Sequence, residues 1–526
     1  MDRYTAGHSR GVVCAPHFAA AEAGRAILAE GGNALEAMVA MAATIAVVYP
    51  HMNHLGGDGF WLVHEPSGKV RALMAAGAAG ARATPARYRD AGYERIPTRG
   101  PLAALTVPGA VAGWMLALEA AKANGGRLPL ADLLAPAMKH AREGVEVSRH
   151  LALNIADASR ELKDVPGFAE TFLIDGKPPP QGARLRPAAL AGTLEQLAHA
   201  GLEDFYRGDI AREVAADLER VGSPVTRADL ERCRATEAEP LSVALPAGTL
   251  WNTPPPTPGL IALMILALYD RLGVKEPESF DHLHGLIEAS KRATAVRDRV
   301  ITDPDRLPHP LDRYLGDAFL DAEAAAIDRR KAAPWKAKEE VGDTIWMGAA
   351  DGSGLVVSYI QSLYWEFGSG VVLPRTGIVM QNRGLSFSLD RSALNVLEAG
   401  RLPLHTLTAA LAVLRDGRVM AYGTMGGDAQ TQIQAALFTR HVLHREPLAE
   451  AIARPRWYVG RTWGKAIGNL VIEARLDGNL IDQLVSAGHD VTMTDAVGHA
   501  GAVVLHPDGT MEGAHDPRAD SGAAGV

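Results

Sequence analysis

The feature that most constrains how this chain can fold is an abrupt change of character at Thr344. Residues 324–343 are rich in charge and carry Pro334, whereas Thr344-Ile345-Trp346-Met347-Gly348-Ala349-Ala350 is β-branched, aromatic and small. Polar linker gives way to buried strand at a single residue. A buried strand that opens on a hydroxyl amino acid suits an enzyme that cuts its own chain. Cleavage before Thr344 would free an α-amine with a reference pKa of about 7.7–8.0, able to act as general base for its own side chain. An ordinary strand start after a loop would look the same locally, so the rest of the chain has to decide.

The length of 526 residues allows two or three average domains or one extended core. A net charge of −8 with 47% hydrophobic and 22% charged residues offers no nucleic-acid surface, which leaves a small molecule as the expected partner. Cys14 and Cys233 are far apart and have no metal-ligand spacing, so a reducing cytoplasm is expected and neither disulfides nor zinc can be argued. Residues 1–8 lack the apolar core of an export signal. The longest apolar run, residues 37–50, falls short of the roughly 20 residues that span a bilayer, so no membrane association is expected.

Helical periodicity begins at Glu22, stops at Gly31-Gly32 and restarts at Asn33, with Glu36 placed for a capping box. Residues 60–64 and 70–74 flank Pro66-Ser67-Gly68 and predict a hairpin. Helices are expected over 113–123, 130–143, 190–200, 210–220, 258–272 and 282–295, with few strands among them. After Thr344 a second hairpin is predicted from 344–350 and 355–362. Strands at 377–380 and 418–422 follow, then helices at 431–444, 448–452 and 481–487, and strands at 491–494 and 501–505. This order suggests helices packed outside a sandwich of sheets.

Gly426 and Gly427 fall between a predicted strand and a predicted helix, where amides without a Cβ in the way can build an oxyanion hole; a tight turn is the bland alternative. Arg383 ends a strand, where a guanidinium can grip a carboxylate, although isolated arginines are commonly solvated. His405-Thr406 sets a ring beside a hydroxyl. The pairs His51/His54 and His282/His284 have no third ligand near them in sequence and read as structural, and Gly56-Gly57-Asp58-Gly59 lacks the strand-before, helix-after setting of a nucleotide loop. No metal or cofactor is implied.

Taken in order, these pieces resemble the γ-glutamyltransferase family of N-terminal-nucleophile hydrolases over nearly the whole chain from Val12. The matching segments include Gly31-Gly32-Asn33-Ala34, Pro50-His51-Met52, residues 56–60, residues 107–113, Phe367-Gly368-Ser369-Gly370, Gly426-Gly427, Ala453-Arg454-Pro455-Arg456 and residues 513–518. The resemblance implies an α+β fold, a four-layer αββα sandwich made as one chain and cut between Asp343 and Thr344. The large piece would be residues 1–343 and the small, catalytic piece 344–526, both forming one interlocked domain; a dimer of that processed pair is open. It also implies Thr344 as nucleophile, its freed amine as base, and the Gly426 and Gly427 amides as oxyanion hole.

Two departures matter. The family's carboxylate-binding arginine is missing from Met74-Ala75-Ala76-Gly77-Ala78, and its ammonium-binding acid is missing from Gly384-Leu385-Ser386-Phe387, while Arg383 and His405-Thr406 stand where the family has a glutamine and a serine pair. Such a pocket should prefer an anionic amide with no α-amino group, bound by Arg383, His405 and Thr406. Residues 342–347, 367–370, 381–384 and 460–464 are similar to the oxamate amidohydrolases of this family, which implies hydrolysis of oxamate to oxalate and ammonia in purine catabolism. Ser358, Gln361 and Ser362, on the strand returning past Thr344, are expected to orient its hydroxyl. The alternatives are a γ-glutamyl hydrolase or transferase, an acylase whose pocket is lined by Trp346, Tyr364 and Trp365, or an uncleaved binding protein.

Overall fold

The computed structural model describes residues 5–335, 343–460 and 469–526. Gly342 and the Arg461-Thr462-Trp463-Gly464 segment lie outside them. Two seven-stranded antiparallel sheets dominate. The first runs, edge to edge, through Gly522–Gly525, Gly11–Ala15, Asp343–Asp351, Val356–Tyr364, Asp58–His64, Val70–Ala75 and Thr236–Ala238. The second runs through Thr5–His8, Met511–His515, Ala500–Leu505, Val419–Thr424, Ala410–Leu414, Gly248–Asn252 and Leu241–Leu245. Each sheet interleaves strands from both sides of the Asp343–Thr344 bond.

Strand alternation divides the apolar residues among three layers. From the strand Asp343–Asp351, Ile345, Met347 and Ala349 join the helices Phe18–Ala29 and Ala34–Val48 in one core. Trp346 and Ala350 face the other way, into a core shared with Leu411 and Ala421 of the second sheet. A third core packs Gly259–Leu272 and Phe280–Val300 on the outer face of the second sheet. The result is the expected four-layer αββα sandwich. The helix Ala34–Val48 is buried on every side, which explains its unbroken run of apolar residues, and its capping box of Asn33 with Glu36 forms as predicted.

Several elements differ from the sequence reading. Strands at Leu241–Leu245 and Gly248–Asn252 complete one edge of the second sheet inside a stretch expected to be nearly all helical. They are short and pair with each other, and Gly248–Asn252 pairs in turn with Ala410–Leu414, itself unanticipated. A helix at Arg149–Leu162 was also unanticipated. The expected strand at 377–380 is reduced to isolated bridges, Val372 with Val379 and Gly56 with Met380.

Trp346 sets how closely the sheets approach. Its indole Nε1 donates to Ser358 Oγ at 2.9 Å, and its ring lies against glycines of the opposite sheet. A Cβ at Gly423 would fall 2.1 Å from Trp346 Cδ1, and one at Gly501 would fall 2.8 Å from Cζ3. Gly423→Ala should therefore destabilise the protein by about 1–3 kcal/mol through overpacking, read as a lowered urea midpoint with the slope unchanged.

Candidate active site

Thr344 opens the central strand of the first sheet and is 1% exposed. Its Oγ1 accepts a hydrogen bond from Gln430 Nε2 at 3.3 Å. Gln430 stands in the first turn of the helix Ala429–Phe438, directly after Gly426 and Gly427, and its own amide donates to the Gly427 carbonyl at 3.2 Å. Both glycines have positive φ, 119° and 54°, which a side chain would resist. Among the described residues neither glycine N–H donates to another group. The turn leads straight into the helix whose Gln430 touches the threonine hydroxyl, and its two amides are not consumed by backbone pairing among the described residues.

Gln430 is itself held. Its Oε1 accepts from the Thr408 amide at 3.1 Å, and Thr408 Oγ1 accepts from Gln434 one helical turn on, at 2.9 Å. Two residues earlier, Thr406 Oγ1 accepts from Arg383 Nη1 at 3.2 Å. The segment 405–408 thus ties the arginine to the helix that touches the nucleophile.

Arg383 is 1% exposed and its guanidinium lies 3.8 Å from the ring centre of Tyr364. Tyr364 pairs with Asp343 across the sheet, at a register shift, and has a φ of 84°. That conformation costs an aromatic residue on the order of 1–3 kcal/mol. Ser362 Oγ accepts from the Tyr364 amide at 2.7 Å, helping to hold this bend.

The remaining sequence candidates fall differently. Ser358 faces the space between the sheets, but its hydroxyl is bound to the Trp346 indole. Gln361 lies on the opposite face of its strand, toward the helices, where its Nε2 donates to Asn53 Oδ1 at 2.8 Å and its Oε1 accepts from Tyr359 and Trp114. The two-residue period of the strand carries it away from the Thr344 face. Neither side chain orients the threonine. Trp346 is buried between the sheets instead of lining a wider pocket, and Trp365 lies 5.2 Å from the Arg99 guanidinium.

Sequence reasoning passed over Asp58. It is fully buried, and its Oδ1 accepts from the amides of Gly77 at 3.0 Å and Gly109 at 2.9 Å. Its Oδ2 lies 3.4 Å from His405 Nε2, whose ring packs edge-on against Phe60. Burial raises the Asp58 carboxyl to about 7, outweighing the Gly77 amide and the Arg383 charge, which pull it down. Burial, reinforced by Arg383, holds His405 well below its ordinary value, so its ring is neutral. The glycine-rich run around Asp58 reads in sequence as a failed nucleotide loop and as a segment resembling the family, and nothing local marks the aspartate as part of a charge cluster.

Among the described histidines, His54 Nδ1 accepts from the Val379 amide, and His282 is bound to the Glu278 amide and Thr439. His284, Glu288 and His489 come close enough for their donor atoms to share a cation. His284 and His489 are hydrogen-bonded to each other at 2.9 Å, however, and Lys291 Nζ lies 2.7 Å from Glu288 Oε1. Lysine fills the cationic role there.

The gamma-glutamyltranspeptidase family model matches residues 20–526. The chain is 51% identical over 522 residues to the oxamate amidohydrolase proenzyme of Klebsiella pneumoniae, covering 98% of each chain. It is 38% identical to a glutathione hydrolase-like proenzyme of Bacillus subtilis, again covering 98% of each. The solved cephalosporin acylase of Bacillus halodurans superposes with a TM-score of 0.90 at 31% identity, covering all of this chain and 97% of that one. No described helix is long and apolar enough to cross a membrane. Replacing Gln430 by Ala should slow both self-cleavage and turnover about tenfold, the worth of one buried hydrogen bond of roughly 1.4 kcal/mol, while KM moves less. Timed gels and initial rates check this.

Proposed function

The chain belongs to the gamma-glutamyltranspeptidase family of self-cleaving amidohydrolases, and from that premise we propose that it hydrolyses a small anionic amide, oxamate, to oxalate and ammonia. The observation that carries the reading is the buried Thr344 hydroxyl held by Gln430, which stands in the first turn of the helix that follows Gly426-Gly427. In maturation Thr344 Oγ1 attacks the Asp343 carbonyl, the peptide nitrogen leaves as the new α-amine, and water hydrolyses the ester. The products are a piece of 343 residues and one of 526 − 343 = 183 residues. Interleaved strands would keep the two together.

In turnover the α-amine takes the proton from Oγ1 as the oxygen attacks the substrate carbonyl. The tetrahedral oxyanion is held by the Gly426 and Gly427 amides, each worth about 2.7–4 kcal/mol in such a role. The amine then protonates the departing ammonia, and water attacks the acyl-enzyme to release the acid. Arg383 binds the substrate carboxylate, with Thr406 fixing the guanidinium and His405 closing the pocket. A neutral histidine and a buried arginine favour a compact anion. The likeness to the Klebsiella pneumoniae proenzyme supports oxamate in particular.

The second reading, a glutathione-type hydrolase or an acylase, draws on the other relatives. Rates with oxamate, a γ-glutamyl anilide and a glutaryl amide separate the two, and preference for either of the latter would sink the oxamate assignment. Intact mass should show two pieces from the wild type and a single 55.7 kDa chain from Thr344→Ala. Arg383→Met should raise KM for oxamate by about 100-fold or more, the equivalent of a lost charge-assisted contact of roughly 3 kcal/mol.

A further inference from the structure

We propose that binding of an anionic substrate is coupled to uptake of one proton by Asp58, which makes Asp58 the charge-compensating and positioning residue of the site. The inference rests on the carboxylate-binding role given to Arg383 above. It starts from a count of buried charge. Arg383 and Asp58 are both almost completely out of water and close enough for the arginine to act on the carboxyl electrostatically. Ionised together they form a neutral cluster. A substrate carboxylate arriving at Arg383 would leave one uncompensated negative charge in a dry interior, which is costly.

Among the described residues, no other group near Asp58 can supply a counter-charge. Ser362 pairs with it across the sheet, and Gln381 presents an uncharged amide whose Nε2 is bound to the Val107 carbonyl. Tyr206, Tyr359 and Cys233 also feel the carboxylate, and burial pushes all three upward, Cys233 to about 12, so they stay protonated and neutral. His405 is neutral. A proton from solvent is the remaining means of balance; the Thr344 α-amine freed on maturation, with a reference pKa of about 7.7–8.0, could also take it, and loss of uptake in Asp58→Asn assigns it to the carboxyl.

The geometry provides a place for it. The Gly77 and Gly109 amides occupy Oδ1 and fix the carboxyl plane, the Gln381 amide pulls the carboxyl down from nearby, and Oδ2, with no close hydrogen-bond partner among the described residues, lies 3.4 Å from His405 Nε2. Neither His405 ring nitrogen has a partner among the described residues. A proton on Oδ2 can be donated to Nε2 of the tautomer that carries its hydrogen on Nδ1. The balance is then charged Arg383, ionised Asp58, one carboxylate ligand and one proton, giving charged Arg383 paired with the ligand beside neutral Asp58. Burial has already brought the carboxyl to about 7, so this step is accessible near neutral pH.

Calorimetry on the matured enzyme tests the proposal with pyruvate, a 2-oxo carboxylate that lacks the amide, in two buffers of different ionisation enthalpy. At pH 8 the wild type should take up about one proton per ligand and at pH 5.5 none, with Kd weakening toward tenfold per pH unit above about 7. Asp58→Asn keeps the Oδ1 acceptor and removes the titration. It should take up no proton and bind pyruvate about tenfold tighter than the wild type at pH 8. Binding without uptake in the wild type, or unchanged uptake in the variant, would overturn the role of Asp58 alone. Failure of pyruvate to bind, together with an oxamate KM unmoved by Arg383→Met, would overturn the carboxylate role of Arg383 and this proposal with it. If the variant fails to mature, absence of uptake in the wild-type buffer pair still overturns the proposal.

Discussion

The wedge of Trp346 between the two sheets is the contact on which the rest of the arrangement depends. Its indole is anchored to Ser358 on its own sheet and fills space left by the absent side chains of Gly423 and Gly501 on the other. Thr344 is two residues before the tryptophan, and the Gly426-Gly427 turn is three residues after Gly423. Sheet spacing at the tryptophan therefore sets the distance between the hydroxyl and the helix that carries Gln430. Close-packed interiors transmit such a constraint without slack.

A second constraint keeps the C-terminal segments in place. Arg456 and Asp516 form a fully buried ion pair, and Arg518 joins Asp516 to Glu473. Asp516 is held well below the usual carboxylate range by Arg456 and Arg518 acting against its burial. Other bonds cross the Asp343–Thr344 division: the Ala34 amide donates to Asp351, His150 meets Asp520, Arg297 pairs with Asp428, and Arg440 pairs with Glu278. A single cut in the chain would leave every one of these contacts intact.

Much of the fold was legible because its signals were local and repeated. The capping box at Asn33 and Glu36, the hairpin around Ser67, and the helices 130–143 and 259–272 each declare themselves through periodicity or turn chemistry. The strands Leu241–Leu245 and Gly248–Asn252 did not, since they form a short hairpin that joins the sheet only through Gly248–Asn252 pairing with Ala410–Leu414, more than 150 residues away. The same limit applied to the site. Ser358 and Gln361 share a strand with Ser362, yet Ser358 is claimed by an indole on the facing hairpin strand and Gln361 by Asn53, 308 residues away.

The sequence by itself determined the kind of chain this is: a threonine at a linker-to-strand boundary, a glycine pair before a helix, and an ordered set of segments resembling one hydrolase family. These features are local, and their order along the chain is enough to read them. Only the tertiary structure decided that Gln430 holds the Thr344 hydroxyl, that Arg383 lies over Tyr364, and that Asp58 and His405 share its buried surroundings. Hydrogen bonds and charge interactions fall off over a few ångströms, and residues separated by dozens to hundreds of positions come within that range only once the sheets have packed.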